Sequence, residues 1–502
     1  MKTIGYAYLI EALHIKGVHP RSVESVISPA VNKKTVSDSR VLYPLGVSPN
    51  APVDHLEFAL KHEGIDLGII SAVFDAIPPE QLSSRFNKSP NGEYIRRLCF
   101  MWEWMKGEQL PGVNNQVSAT YIEMFPSDQY VTSDAVRHGR FRVLENAIGN
   151  RNFCPVVKRN TLNKIIGEDF AKSAITDIKK QAGEKVFQRA VQYLYLSETK
   201  NSFGIEKEVP DANRTQRFIA LLQTCGDSAP ITEDMLVSAQ HKIVKDPFAQ
   251  ESSFRYGQNW LEDRHGQITV FPPSPDVLPR LMDGWLEFVN STKKIHPVIK
   301  AACGAFGFVY LHPFYDGNGR IHRFLIHKIL TQSGFVGDGV ILPVSSVMLK
   351  DIESYLAVLN TFSKPVRDMW NYERIDAQSA PRITEHPGST PYRFFDADIE
   401  CDYLSQSIMH SLSADLPNEI AFLEKFDRSM ERLNQEIDLP QKDMSLLIRC
   451  AIENDGTVSK NRRKQFSHFP EDIFETIEKV VSEECGLEKP NSPGLPTHKI
   501  RG

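Results

Sequence analysis

His312-Pro313-Phe314-Tyr315-Asp316-Gly317-Asn318-Gly319-Arg320-Ile321-His322-Arg323 decides how this chain reads. An apolar stretch of helical spacing, from about Pro297 to Leu311, runs into it. Pro313 ends that helix and is expected to hold His312 extended. Gly317-Asn318-Gly319 permits a tight turn, because glycine adopts positive φ without a Cβ clash. Beyond it Ile321, Phe324-Leu325 and Ile329 recur at helical spacing. The pattern predicts helix, tight loop, helix, with the second helix opening near Asn318. Free N–H groups at such an opening, together with the helix dipole, make an anion site suited to phosphate.

The charged residues suit that site. Arg320 and Arg323 lie in the first turn, where a cation is unfavourable for the helix itself; a polyanionic ligand accounts for them. Asp316 would repel a phosphate unless it holds a divalent cation. Mg²⁺ is the natural choice, binding through one or two carboxylates plus substrate phosphates. His312, at the mouth of the loop, is placed to act as general base on a hydroxyl. Phe314 reads as a packing anchor. Together the parts indicate transfer of a nucleotide phosphate to a hydroxyl. A histidine before proline, or a glycine-rich turn, is by itself usually structural. The conjunction differs: nine near-fixed positions at about one in twenty each put a chance match below about 10⁻¹¹ per start site.

This run matches, at every specified position, the signature HPFx(D/E)GNGRxxR of Fic (filamentation induced by cAMP) proteins, which the chain resembles over about residues 185–370. The resemblance implies a mainly α fold, with a Fic-type helical core and a β-hairpin flap between helical N- and C-terminal regions. It implies transfer of AMP from ATP to a Ser, Thr or Tyr hydroxyl of a target protein. His312 is then the base and Asp316 the Mg²⁺ ligand. Gly317, Asn318 and Gly319 hold the α- and β-phosphates with backbone and side chain, Arg323 meets the γ-phosphate, and Arg320 supports the site. Gly319, where the kinase-like branch carries lysine, favours nucleotidyl transfer.

Ser202-Phe203-Gly204-Ile205-Glu206-Lys207 is similar to the family's inhibitory pattern (S/T)xxxE(G/N) through the glutamate and departs from it at Lys207. This implies inhibition in cis through Ser202 and Glu206. Residues 257–271 carry strand-like stretches at Gln258–Leu261 and Gln267–Phe271 around a turn at Asp263–Gly266, which predicts a hairpin. It resembles the Fic flap, which clamps an extended target segment by strand addition. Removal of AMP by the same site and a catalytically silent binding module stay open as alternatives. The intact His312, Asp316, Asn318 and Arg323 speak against the second.

The 502 residues are 41% hydrophobic and 24% charged, enough for a large core without disulfide or metal staples. Residues 1–184 are expected as a helical region, amphipathic from its first helix, with a short-strand insert at about 110–165. Gln129–Thr132 and Phe153–Lys158 are the candidate strands of that insert. Residues 185–375 form the core, 376–400 a Pro- and Gly-bearing linker, 401–488 a second helical region, and 489–502 a disordered tail. With 58 Lys+Arg against 63 Asp+Glu, the net charge of −5 gives no general field for nucleic acid or an anionic membrane. The basic run Lys460–Lys464 reads as a solvated face. Seven scattered cysteines without a CxxC pair indicate a reducing compartment and exclude a zinc ribbon. No apolar run approaches the ~18 residues of a membrane span. The expectation is a cytoplasmic protein whose partner is a protein substrate, not nucleic acid or membrane.

Overall fold

The computed structural model describes residues 2–337, 339–376 and 379–487. They are mainly α-helical and fall into two compact units. The first holds residues up to 172 together with 196–409; the second holds 173–195 with the described residues from 410 onward.

The first unit begins with a sheet. Strands β1 (Lys2–Ile4), β2 (Glu24–Ile27), β3 (Thr35–Val36) and β4 (Arg40–Tyr43) pair in the order β1-β2-β4-β3. Helices α1 (Gly5–Ala12), α2 (Pro52–His62), α3 (Leu67–Ala76), α4 (Glu80–Lys88) and α5 (Glu93–Lys106) bury Leu9, Leu56, Ile70, Phe86 and Leu98 in one cluster. Residues 1–110 are therefore not purely helical. Their strands are two to four residues long, too short for alternation to register in the sequence. The insert forms a second sheet, β5-β7-β6, from β5 (Ile122–Glu123), β6 (Val136–His138) and β7 (Val143–Glu145). Gln129–Thr132 and Phe153–Lys158 are not strands and meet only at the bridge Tyr130–Lys158. Their apolar side chains, such as Phe153 and Val157, bury from irregular backbone.

Helices α6 (Arg159–Leu162), α7 (Glu168–Ala182), α8 (Glu184–Ile205), α9 (Ala212–Gln223) and α10 (Glu233–Ile243) follow. Thr232 caps α10, its hydroxyl accepting from Met235 N at 3.2 Å. Then come α11 (Leu278–Asn290), α12 (Pro297–Leu311), α13 (Asn318–Gln332), α14 (Val344–Lys350) and α15 (Ile352–Arg367). Asp351 divides the last two by capping Ser354 N, although the apolar pattern over Met348–Phe362 by itself reads as one helix. Thirteen of the fifteen residues of α12 are buried, as in a helix that is apolar all round. Gly304 is the hinge of that packing. A Cβ there would lie 2.8 Å from Ile329 Cδ1 and 3.0 Å from Val289 Cγ1, so glycine lets α13 and α11 close on it from two sides.

The expected hairpin exists as β8 (Leu261–Glu262) and β9 (Ile268–Val270), shorter than the sequence suggests. Asp263 makes its turn by accepting from His265 N and Gln267 N. Ile268 and Phe271 pack on Trp370. The stretch expected as a linker carries β11 (Arg382–Glu385), paired with β10 (Asn371–Glu373), and α16 (Thr390–Arg393). Tyr392, Phe394 and Phe395 are buried, so the aromatics outweigh the Pro and Gly that flag a linker. Helix α17 (Asp398–His410) lies in the first unit up to Met409.

In the second unit α18 (Leu416–Glu436), α19 (Gln441–Glu453), α20 (Lys460–Gln465) and α21 (Glu471–Cys485) enclose Leu433, Leu447, Ile448, Phe474, Ile477 and Val481. Arg463 of the basic run pairs with Glu471 and Glu478. Residue 488 and the 489–502 tail lie outside the described residues. Among those described, no helix is long and apolar enough to cross a membrane.

Candidate active site

His312 is the C-cap of α12, at φ 47° and ψ 58°, left-handed and not extended as expected. Its N–H closes the last turn onto Phe308 O at 2.9 Å, and this capping bond outweighs the extended bias that Pro313 imposes. A non-glycine residue in this region costs on the order of 1 kcal/mol, and such strain recurs at functional sites. His312 Nδ1 lies 3.3 Å from Val309 O. A carbonyl only accepts, so Nδ1 carries the proton and Nε2 keeps its lone pair. Burial, then the nearby Arg255 charge, push the imidazole pKa down to about 4, against the opposing pull of Val309 O and Glu206. At neutral pH the ring is an uncharged base.

The loop is held from inside. Asn318 Oδ1 accepts from Phe314 N at 3.0 Å, and its Nδ2 donates to Phe314 O at 2.7 Å. That side chain clamps the loop instead of standing free for a phosphate, which leaves phosphate contacts to the backbone. Phe314 is fully buried, as an anchor should be. Gly317 opens α13 at φ 94°. Gly319 serves a different need, because a Cβ there would stand 2.3 Å from Glu206 Oε1. Asp316 is half exposed, and its Oδ1 accepts from Arg320 Nη2 at 2.8 Å. Glu251 Oε1 accepts from Tyr315 N at 2.8 Å and braces the backbone beside Asp316.

Helices α8 and α13 meet along a polar ladder with rungs four residues apart. On the last rung, Arg323 Nη2 donates to Glu206 Oε1 at 2.8 Å. Arg323 also donates through Nε to Ser202 Oγ at 2.8 Å and through Nη2 to Ser202 O at 2.7 Å. One turn further, His327 Nε2 donates to Glu198 Oε1 at 2.8 Å, and Glu198 also accepts from the Ser345 N–H and hydroxyl. Burial opposes ionisation of Glu206, but Arg323 outweighs it, with Arg320 and His312 adding, and holds the carboxyl below its ordinary range. Beyond the ladder, Glu208 pairs with Arg320 at 3.0 Å and with Arg214 at 2.7 Å, while Phe203 lies beneath both guanidinium groups.

Lys207 explains its own departure from the inhibitory pattern. It sits at φ 57°, the left-handed position after the helix end. Lys207 N donates to Gly204 O and Glu208 N to Phe203 O, the pair of bonds that closes a Schellman cap. Glycine or asparagine suits that position; lysine fills it with strain.

The structure thus brings His312, Asp316, Gly317, Asn318, Gly319, Arg320, Arg323, Ser202 and Glu206 to one site. The sequence reading missed Glu198, Glu208, Glu251 and Arg255. Only the fourfold spacing of Glu198, Ser202 and Glu206, opposite Gly319, Arg323 and His327, was visible beforehand. His322 turns away to Ala305 O at 2.8 Å, so it forms no metal pair with His327.

A triphosphate fits these groups. Arg323 Nη1 is buried without a hydrogen-bond partner among the described residues, and it faces Gly319, 3.4 Å from where a Cβ would stand. A phosphate oxygen would satisfy it. No group of three His, Cys, Asp or Glu among the described residues could hold a metal. A half-exposed Asp316 still suits Mg²⁺, which takes few protein ligands beside substrate phosphates.

Residues 230–330 match the Fic/DOC family model. The chain carries a Fic domain. A relative from Nematostella vectensis, "Protein adenylyltransferase Fic", is 29% identical over 136 residues, 26% of this chain and 29% of that protein. The protein of the same name from Drosophila melanogaster is 38% identical over 79 residues, 15% of this chain and 16% of that protein. The chain therefore spans less than a third of these relatives' own length. A Fic domain-containing signaling protein from Bacteroides thetaiotaomicron aligns with a TM-score of 0.35 at 18% identity, covering 49% of this chain and 96% of that one. The matched stretch includes the hairpin and the His312 loop, and it begins after Ser202 and Glu206.

Proposed function

We propose that this Fic domain is a protein adenylyltransferase, moving AMP from ATP to a Ser, Thr or Tyr hydroxyl of a target protein, and that Glu206 silences it in cis. The observation that carries the reading is Arg323. It is buried in α13 with Nη1 facing Gly319, has Tyr355 beside it, and is held by Ser202 and Glu206. An arginine so placed suits a γ-phosphate, and a carboxylate on it competes for the same guanidinium.

In the reaction His312 Nε2 takes the proton of the acceptor hydroxyl. That oxygen bonds to the α-phosphorus, the bond from the α-phosphorus to the bridging oxygen breaks, and pyrophosphate leaves. Backbone N–H groups at Gly317–Gly319 hold phosphate oxygens, and Arg323 orients the γ end. Mg²⁺ on Asp316 would neutralise phosphate charge. Positioning and electrostatics are the catalytic means for this class of chemistry. The target segment adds as a strand along the β8–β9 hairpin, which is braced by Arg374 through Gly266 O and Glu262.

The reading is tested by mass spectrometry of purified Glu206→Gly protein after incubation with ATP and Mg²⁺. An AMP adduct on hydroxyl residues of the protein or of an added lysate is the expected result. Absence of any nucleotide adduct with each of the four NTPs would sink it. Loss of AMP from a pre-modified target, without forward labelling, would reassign the site to the reverse reaction.

A further inference from the structure

Arg255 is 97% buried and forms no salt bridge among the described residues; Glu251 acts on it only from beyond contact distance. Each of its three guanidinium nitrogens donates to a carbonyl. Nε donates to His312 O at 2.9 Å, Nη1 to Gly257 O at 2.9 Å, and Nη2 to Pro273 O at 2.6 Å. Its own N–H donates to Pro313 O at 2.8 Å. Burying an unpaired guanidinium is costly, so the fold has to gain something specific from this one.

The four acceptors say what that is. Gly257 and Pro273 stand at the two roots of the β8–β9 hairpin. His312 and Pro313 stand at the junction of α12 with the glycine loop. A single planar fork therefore joins the clamp to the base. Lysine cannot reproduce this, because it has one nitrogen where the guanidinium has three pointing in fixed directions.

We propose that Arg255 is a positioning residue that sets the spacing between a target segment held on the hairpin and His312. The inference rests on the adenylyltransferase reading for its substrate and on the hydrogen bonds above for its geometry. The hairpin fixes where the acceptor hydroxyl lies, and Arg255 fixes the hairpin relative to the imidazole. A displacement of about 1 Å at this junction costs roughly 10²-fold in rate. Arg255 has a second consequence at the same place. Burial lowers its own pKa to about 10, so it stays charged at neutral pH. Burial is the main reason the imidazole stays unprotonated; the Arg255 charge adds to it, and Glu206 opposes it.

The test uses two substitutions in the full chain, each in a Glu206→Gly background and each checked for folding by circular dichroism. Arg255→Lys keeps the charge and loses the fork. Its turnover on protein hydroxyls is expected to fall about 100-fold, with ATP affinity and the His312 titration unchanged. Arg255→Gln removes the charge. NMR of histidine-labelled protein is expected to show the His312 midpoint moving up, toward the ordinary histidine value, relative to the Glu206→Gly parent. Unchanged turnover in folded Arg255→Lys would overturn the proposal, as would equal losses in ATP affinity and turnover. An unmoved His312 midpoint in folded Arg255→Gln would do the same. If the parent transfers no nucleotide at all, the adenylyltransferase reading fails, while the NMR titration still decides whether Arg255 acts on His312.

Discussion

Replacing Glu206 by glycine should raise nucleotide transfer about 10-fold. Arg323 is 1% exposed at its side chain and the Glu206 side chain 35%, at 2.8 Å. A hydrogen bond between charged partners contributes about 1.5–3 kcal/mol. One partner is a third exposed, so solvent screening puts this pair at the low end, about 1.5 kcal/mol. Every 1.4 kcal/mol is tenfold. The gain is bounded, because Ser202 still takes two of the Arg323 bonds in this variant. Ser202→Ala should act in the same direction and more weakly, and the double variant should exceed either. The assay is initial-rate labelling with α-labelled ATP, wild type beside variant, at matched protein concentration. A Glu206→Gly rate equal to wild type would refute cis-inhibition and leave Ser202 and Glu206 as an ordinary helix contact.

Lys207→Gly should tighten the same latch, because relieving a left-handed lysine stabilises the cap by about 1 kcal/mol; basal labelling should drop about fivefold, and an unchanged rate would separate the cap from the latch. Asp316→Ala should abolish the dependence of transfer on Mg²⁺ concentration and leave a residual rate, read by titrating Mg²⁺ at fixed ATP; a wild-type Mg²⁺ response would remove Asp316 from the metal site. Stability should fall as pH drops from the ordinary histidine range toward 4. His312 and His322 are held neutral by burial, with pKa values near 4 and near 3. The unfolded chain therefore binds protons that the folded one refuses, at about 1.4 kcal/mol per pH unit per histidine. Urea melts between pH 7 and 4 check this, and a flat midpoint would contradict it.

The sequence exposed what depends on local pattern. Pro297–Leu311 and the helix from Asn318 appear as read, because apolar spacing and a glycine break define them directly. The anion loop was legible for the same reason. What stayed hidden depends on distant partners. Asn318 looks like a phosphate contact until Phe314 is seen to occupy both ends of its amide. His312 looks extended beside Pro313 until the α12 cap turns it left-handed. Arg255 and Glu208 are single charges in unremarkable segments, and their carbonyl and arginine partners lie in other elements. Tyr392 and Phe394 were obscured by neighbouring Pro and Gly, although their burial fixes that segment.

The most direct measurement of the central claim is a comparison of ATP labelled at the α- or the γ-phosphate, given to Glu206→Gly and to Glu206→Gly/His312→Ala. Nucleotidyl transfer by His312 predicts protein-bound label from the α position only. It also predicts a fall of about 10²–10⁴-fold on removing the histidine, with ATP affinity preserved, since the proposed phosphate contacts are Gly317–Gly319 and Arg323. Label arriving from the γ position would show phosphoryl transfer instead. Undiminished α-label in the double variant would take His312 out of the mechanism.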